Sequence, residues 1–171
     1  ELLPIGGCWI EKQNRAIAPK TKLISTIVSP KRNLPGHLLR HEIINKFPSI
    51  DAYGKTYNQI TNKIEALRDY KFSVVVENCK IDYYFTEKLI DCFITGTIPI
   101  YWGCPSIGNF FDLNGVLCFN NIEELNSIVE EIHSDCNFYA NKVAAIKNNY
   151  DKAKKYLVAD DTLYSNINLN I

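Results

Sequence analysis

Two polar clusters interrupt the apolar runs of this chain, and both carry side chains that could hold an anion joined to a sugar. Glu77-Asn78 stands where the apolar run 71–76 stops, and Thr86-Glu87-Lys88 opens an apolar stretch of helical spacing. Unpaired amides and the positive end of the dipole at a helix start attract phosphate, and a lysine there adds a full charge. The Glu87 carboxylate could accept hydrogen bonds from ribose hydroxyls. A solvated acid–base pair at a helix start would have the same spacing. Glu77 and Asn78 lie at a strand tip, the end of a parallel sheet where ligands bind; an Asx turn would also put an asparagine there. Tyr83, Tyr84 and Phe85 fill the same loop, either to stack on a base or sugar or to pack under the helix.

A basic turn, Lys31-Arg32, is followed by His37, Arg40 and His41, and comes just after an earlier apolar run. In a doubly wound sheet this turn faces the same crevice as Glu77, and Arg40 could grip a diphosphate through two parallel hydrogen bonds. An exposed basic turn is the plainer alternative. His37 and His41 are four residues apart, a spacing metals use, but no acidic partner completes a site and no metal is expected. The chain has no G-x-G-x-x-G, P-loop or G-x-S-x-G motif, which disfavours a dinucleotide oxidoreductase, a P-loop NTPase and an α/β-hydrolase. Cys104 has no histidine beside it in sequence and reads as structural.

These groups need strands and helices in alternation to bring them together. β-branched apolar runs at 22–29, 50–53, 71–76, 97–102 and 116–119 read as five strands. Between them, helical spacing is predicted over 38–47, over 57–69 through Ile60, Ile64 and Leu67, and from Thr86 to a glycine cap at Gly96. Residues 105–111 read as a turn with one helical turn at most. Asn120 or Asn121 caps a further helix carrying Leu125, Ile128, Val129 and Ile132, and 138–157 reads as a longer helix or a pair. The order predicts an α/β fold, a Rossmann-like, doubly wound parallel sheet. Residues 1–19 read as an entry segment or linker packed down by Cys8-Trp9-Ile10, 20–157 as the ligand-binding domain and 158–171 as a tail.

The totals agree with one globular domain: 171 residues, 46% hydrophobic and 22% charged. Lysine plus arginine equals aspartate plus glutamate at 19 each, which argues against general nucleic-acid binding. No apolar run approaches the roughly 20 residues of a membrane span. Six cysteines without a C-x-x-C pair, most of them inside apolar runs, point to a reducing, cytoplasmic setting. Methionine is absent and Glu1 comes first, so the chain reads as a fragment or a processed piece.

Taken together, Glu77-Asn78, then Tyr84-Phe85-Thr86-Glu87-Lys88, then Ile98-Pro99-Ile100-Tyr101-Trp102-Gly103 resemble, in order and spacing, the donor-binding motif of the α-1,3-fucosyltransferases, glycosyltransferase family ten. The likeness extends more weakly to the first strand, the basic turn and Asp51-Ala52-Tyr53-Gly54, covering about residues 20–120. It implies the C-terminal half of a two-domain GT-B glycosyltransferase. It also implies an inverting, fucosyltransferase-like transfer from a nucleotide-sugar donor, GDP-fucose by default, to a glycan acceptor, with no cofactor. Carried over, Glu87 would hold the ribose, Lys88 the diphosphate, and Asn78 and Tyr84 would line the donor site. The family's arginine position falls near His37, with Arg40 one helical turn away as the substitute; this departure leaves another nucleotide sugar open. Glu77 is a further candidate lining residue. The catalytic residues remain unassigned, because the family's general base belongs to an N-terminal domain, expected here in a missing segment or a partner chain. A Rossmann-like module that binds a nucleotide sugar or a protein without catalysis is the alternative.

Overall fold

Alternation along one strand decides which side each helix takes. The computed structural model describes residues 6–158. Its sheet has five parallel strands: β1 (Lys22–Ile27), β2 (Asp51–Tyr53), β3 (Tyr70–Val76), β4 (Ile98–Trp102) and β5 (Leu117–Cys118), in the order β2-β1-β3-β4-β5. On β3, Phe72, Val74 and Val76 turn to one face, where they pack with Ile43 and Phe47 of α1 (Pro35–Lys46) and Leu125, Val129 and Ile132 of α3 (Ile122–Ser134). Val75 turns to the other, against Leu89, Ile90 and Phe93 of α2 (Glu87–Ile94) and Ala153 of α4 (Val143–Ala153). A strand covered on both faces must be apolar on both, which is why β3 reads as a continuous run rather than an alternating one. The doubly wound, Rossmann-like reading describes this architecture.

The strand order reverses between β1 and β3. The chain leaves β1 for α1 on one face and leaves β3 for α2 on the other. The two connections diverge at the C-terminal ends of these strands and leave a crevice between them.

Both ends of α2 are fixed by the residues that announce it. Thr86 is the N-cap, its side chain accepting from the Lys88 amide. Gly96 follows the C-terminus at φ +70°, with Gly96 N–H donating to Phe93 O and Thr97 N–H to Cys92 O at 2.9 Å. That pair of bonds is a Schellman closure, and its left-handed residue favours glycine.

Three elements differ from the sequence expectation. The helix expected over 57–69 is one 3-10 turn, Lys63–Ala66, closed by a capping box of Asn62 and Glu65. Residues before it fold back on β2 instead: Asn58 pairs with Tyr53, and its carbonyl takes the Gly54 amide. α1 begins at Pro35, three residues before the expected start, because proline suits the first helical position, where its missing N–H goes unused. The stretch 138–157 contains α4 between two 3-10 turns, Ala140–Lys142 and Lys154–Tyr156. Of the entry segment, residues 6–19 are described: Ile10 is buried, while Trp9 is 68% exposed. Residues 1–5, and the expected tail from 159 onward, lie outside the described residues.

Gly36, in the first turn of α1, abuts the end of β3. A Cβ placed on it would stand 1.7 Å from the Glu77 carbonyl oxygen. Backbone on both sides leaves little room to yield, so Gly36→Ala is expected to destabilise the domain by about 1–3 kcal/mol in urea titrations. A loss below about 0.5 kcal/mol would show that the two elements separate freely.

Candidate functional site

The crevice holds a cleft of about 360 Å³. Ile27, Ser73 and Val75 contribute to its lining from β1 and β3, with His37 and Arg40 from α1 and Glu87, Lys88 and Asp91 from α2.

Glu77 is the first residue past β3 and is fully buried. Its Oε1 accepts from the Thr86 amide at 2.9 Å and its Oε2 from the Thr86 hydroxyl at 2.8 Å. Lys88 Nζ adds a third contact at 3.3 Å, and also donates to Thr86 Oγ1 at 2.9 Å. The Glu77 amide donates to Trp102 O at 2.9 Å. Gly103 gives the carboxylate room: a Cβ there would come within 2.7 Å of Glu77 Cγ. Glu77 is therefore a buried anchor for the start of α2, not the lining residue expected from sequence.

Glu87 and Lys88 are placed as their spacing predicted, both lining the cleft, with side chains 18% and 27% exposed. Lys88 Nζ is 3.7 Å from Glu87 Oε1. A second cation, Lys63, reaches the same oxygen at 3.2 Å and Asp91 Oδ2 at 3.0 Å. Burial alone would raise the Glu87 pKa, but Lys88 and Lys63 outweigh it and hold the carboxyl below its ordinary range. Asp91 is pushed up by burial, against the opposing pull of Lys63 and the Trp9 amide.

Arg40 is buried, and its Nε donates to Val76 O at 2.9 Å. Its Nη2 also donates to Val76 O and, at 3.1 Å, to Asn78 Oδ1. That edge, expected to grip a diphosphate, latches α1 to the end of β3 and fixes Asn78 in the cleft wall. His37 lines the cleft with Nδ1 2.9 Å from Asn33 Oδ1; burial and the Arg40 guanidinium lower its pKa. His41 has Nδ1 on the Tyr57 hydroxyl at 2.9 Å and Nε2 on Lys31 O at 3.2 Å, so both ring nitrogens are engaged. Lys31 lines the cleft and is exposed.

The aromatic loop divides its duties. Phe85 is core, edge-on to Phe110 and Phe111. Tyr83, at φ 62°, stands edge-on to Phe110. Tyr84 is half-buried, and burial together with Glu77 raises its phenol pKa.

Sequence reasoning missed Lys63, Asp91 and Trp9. Asp91 had a signal: it is an acid four residues after Glu87, inside an otherwise apolar helix. Lys63 had none, because its partners lie 24 and 28 residues away.

Residues 17–156 match the family model described as Glycosyltransferase family 10 (fucosyltransferase) C-term. The alpha-(1,3)-fucosyltransferase FucT of Helicobacter pylori is 30% identical over 128 residues, which cover 71% of this chain and 27% of that protein. The alpha-(1,4)-fucosyltransferase of Arabidopsis thaliana is 30% identical over 105 residues, 57% of this chain and 26% of that one. A crystal structure of an alpha1,3-fucosyltransferase with GDP-fucose superposes with a TM-score of 0.62 at 29% identity, over 71% of this chain and 38% of the other. TarM, at 14% identity and a TM-score of 0.51, shares the fold. The chain thus spans well under half the length of these relatives. Among the described residues, no helix is long and apolar enough to cross a membrane.

Two outcomes test the site's electrostatics. Removing Glu77 strands the Thr86 donors and the Lys88 ammonium. Glu77→Ala is expected to cost about 2–4 kcal/mol of unfolding free energy, toward the lower end because Lys88 reaches solvent. Glu77→Gln should recover part of the loss, and equal losses in both variants would remove the charge from the account. In an NMR titration, carboxyl carbon shifts should place the Glu87 midpoint below that of an ordinary glutamate and the Asp91 midpoint above that of an ordinary aspartate. Since the folded pKa of Glu87 is depressed, its contribution is present above the unfolded value and lost as pH falls through the folded one. The raised Asp91 has the opposite sign: its ionised form costs stability, which protonation returns.

Proposed function

The chain belongs to glycosyltransferase family 10, whose C-terminal domain its residues 17–156 match, and from that premise we propose that it is the donor-binding part of an inverting fucosyltransferase. The donor is a nucleotide sugar, GDP-fucose by preference, and the acceptor is a glycan. The observation that carries this reading is the placement of Glu87 and Lys88 side by side at the capped start of α2, inside the crevice at the switch point of the sheet. The superposed alpha1,3-fucosyltransferase structure with GDP-fucose supports the choice of donor.

In the proposed complex the Glu87 carboxylate, kept ionised by two lysines, accepts from the ribose hydroxyls. Lys88 meets the diphosphate. As the sugar leaves, negative charge grows on that diphosphate, and Lys88 with the amides of the α2 N-terminus stabilises it. Arg40 contributes charge from within the cleft lining, although its Nε–Nη2 edge is already bonded to the protein. Lys31, at the position of the basic turn, is the second cation free to approach the phosphates. Asn78, held by Arg40, completes the wall, and Tyr84, half-buried and outside the lining, stands within electrostatic reach of Glu77 and Arg40. The acceptor hydroxyl needs a general base, and we assign it to a domain or partner beyond these residues. A cytoplasmic setting belongs to the same reading, supported by six cysteines that are all free thiols.

Calorimetric titration with GDP, GDP-fucose, UDP and a UDP-sugar tests the proposal. GDP and GDP-fucose should bind, and Lys88→Ala should weaken both by about tenfold or more, the worth of a charged hydrogen bond. No binding of any nucleotide sugar would overturn it. UDP-sugar binding in preference to GDP-fucose would overturn the choice of donor.

A further inference from the structure

Residues 6–10 run alongside α2 and lie outside the stretch matched by the family model. Gly6 pairs with Thr86, Gly7 N–H donates to Tyr156 O at 2.8 Å, and Trp9 N–H donates to Asp91 Oδ1 at 2.8 Å. Ile10 is buried in the core beneath. The segment is therefore tied down along its length, yet it leaves the Trp9 indole 68% exposed at the cleft. An exposed tryptophan on a tethered backbone is unusual for a residue that serves only to pack. One face of the indole is covered: Lys63 Nζ stands 4.2 Å from its ring centroid while it bridges Glu87 and Asp91.

We propose that Trp9, braced by Lys63 and Asp91, is the nucleobase platform of the donor cleft, and that its open face takes a purine in a stack. This rests on the donor reading above and adds the direction in which the nucleotide lies. The charged ends of three side chains of α2 lie in order from its start. The Lys88 ammonium reaches back to the N-cap, where it meets Thr86 and Glu77. Glu87 touches both lysines. Asp91, one helical turn further on, holds Lys63 and Trp9. A nucleoside diphosphate has the same order: diphosphate, ribose, base. With phosphate at Lys88 and ribose at Glu87, the base extends toward Asp91, where the free aromatic surface is. Asp91 uses its oxygens on Lys63 and the Trp9 amide, so it positions the platform and does not read the base. Stacking tolerates any base and favours the larger ring. Trp9 therefore supplies affinity for a purine nucleotide, not a choice between guanine and adenine.

The test compares ligands with and without a base. Calorimetry on wild type, Trp9→Ala and Trp9→Phe would use GDP, UDP and inorganic pyrophosphate. Trp9→Ala is expected to weaken GDP by at least about tenfold, UDP by less, and pyrophosphate not at all, while Trp9→Phe retains most of the GDP affinity. Trp9 and Trp102 are the two tryptophans of the chain. GDP should therefore quench emission in wild type far more than in Trp9→Phe, where Trp102 alone reports. Equal GDP affinity in wild type and Trp9→Ala would overturn the platform and leave the donor reading intact. Equal losses for GDP and pyrophosphate would also overturn it, by showing that the segment supports the phosphate end. If wild type binds no nucleotide, the donor reading itself has failed.

Discussion

The buried carboxylate of Glu77 is the constraint on which the crevice depends. It sits past the last residue of the central strand, with no exposure to water. A charge there is tolerable only if every lone pair is met and an opposite charge is near. Thr86 supplies an amide and a hydroxyl, and Lys88 supplies the charge. Meeting those needs brings the first turn of α2 to the tip of β3, and this sets where Glu87 and Lys88 stand. The glycines follow from the same requirement. Gly36 lets α1 close on the Glu77 backbone, and Gly103 leaves room for its side chain.

The sheet explains why a cavity survives beside such tight packing. On the α2 face, β1 and β3 present Ser25 and Ser73, small side chains whose hydroxyls lie 3.2 Å apart, with Ser25 also bonded to Ala66 O. On the α1 face the neighbouring positions are Ile24, Phe72 and Val74, which fill their space. The small residues thus fall on the side where the chain diverges from the sheet, and the space they leave joins the crevice rather than a sealed void.

The sheet, the two ends of α2 and the donor motif were legible because each is a local pattern. Unbroken β-branched runs mark β1, β3 and β4; Thr86 and Gly96 mark the ends of α2; Glu77, Asn78, Glu87 and Lys88 keep a fixed spacing. What was illegible is non-local. Glu77 reads as a ligand contact until its burial is known, because a polar residue at a strand tip is ambiguous until the next helix is placed against it. Arg40 has the charge for a phosphate, but only the fold brings β3's terminal carbonyl to claim it. The expected helix over 57–69 failed for a related reason: its apolar residues answer to different neighbours, and Asn62 with Glu65 closes a single turn before the chain must enter β3. Lys63 joins three segments far apart in sequence.

The pairing of Lys88 with Glu77 also bears on selectivity among small ions. A lysine with a resident counter-ion is largely neutralised before any solute arrives. Chloride or free phosphate, which would bind through one point of attachment, gains little there and must compete with a carboxylate that never diffuses away. A ligand that makes several contacts at once can share the ammonium with Glu77 rather than displace it. The cleft can therefore stay vacant in a salty medium and still admit a multidentate guest, a form of background rejection built from one internal ion pair.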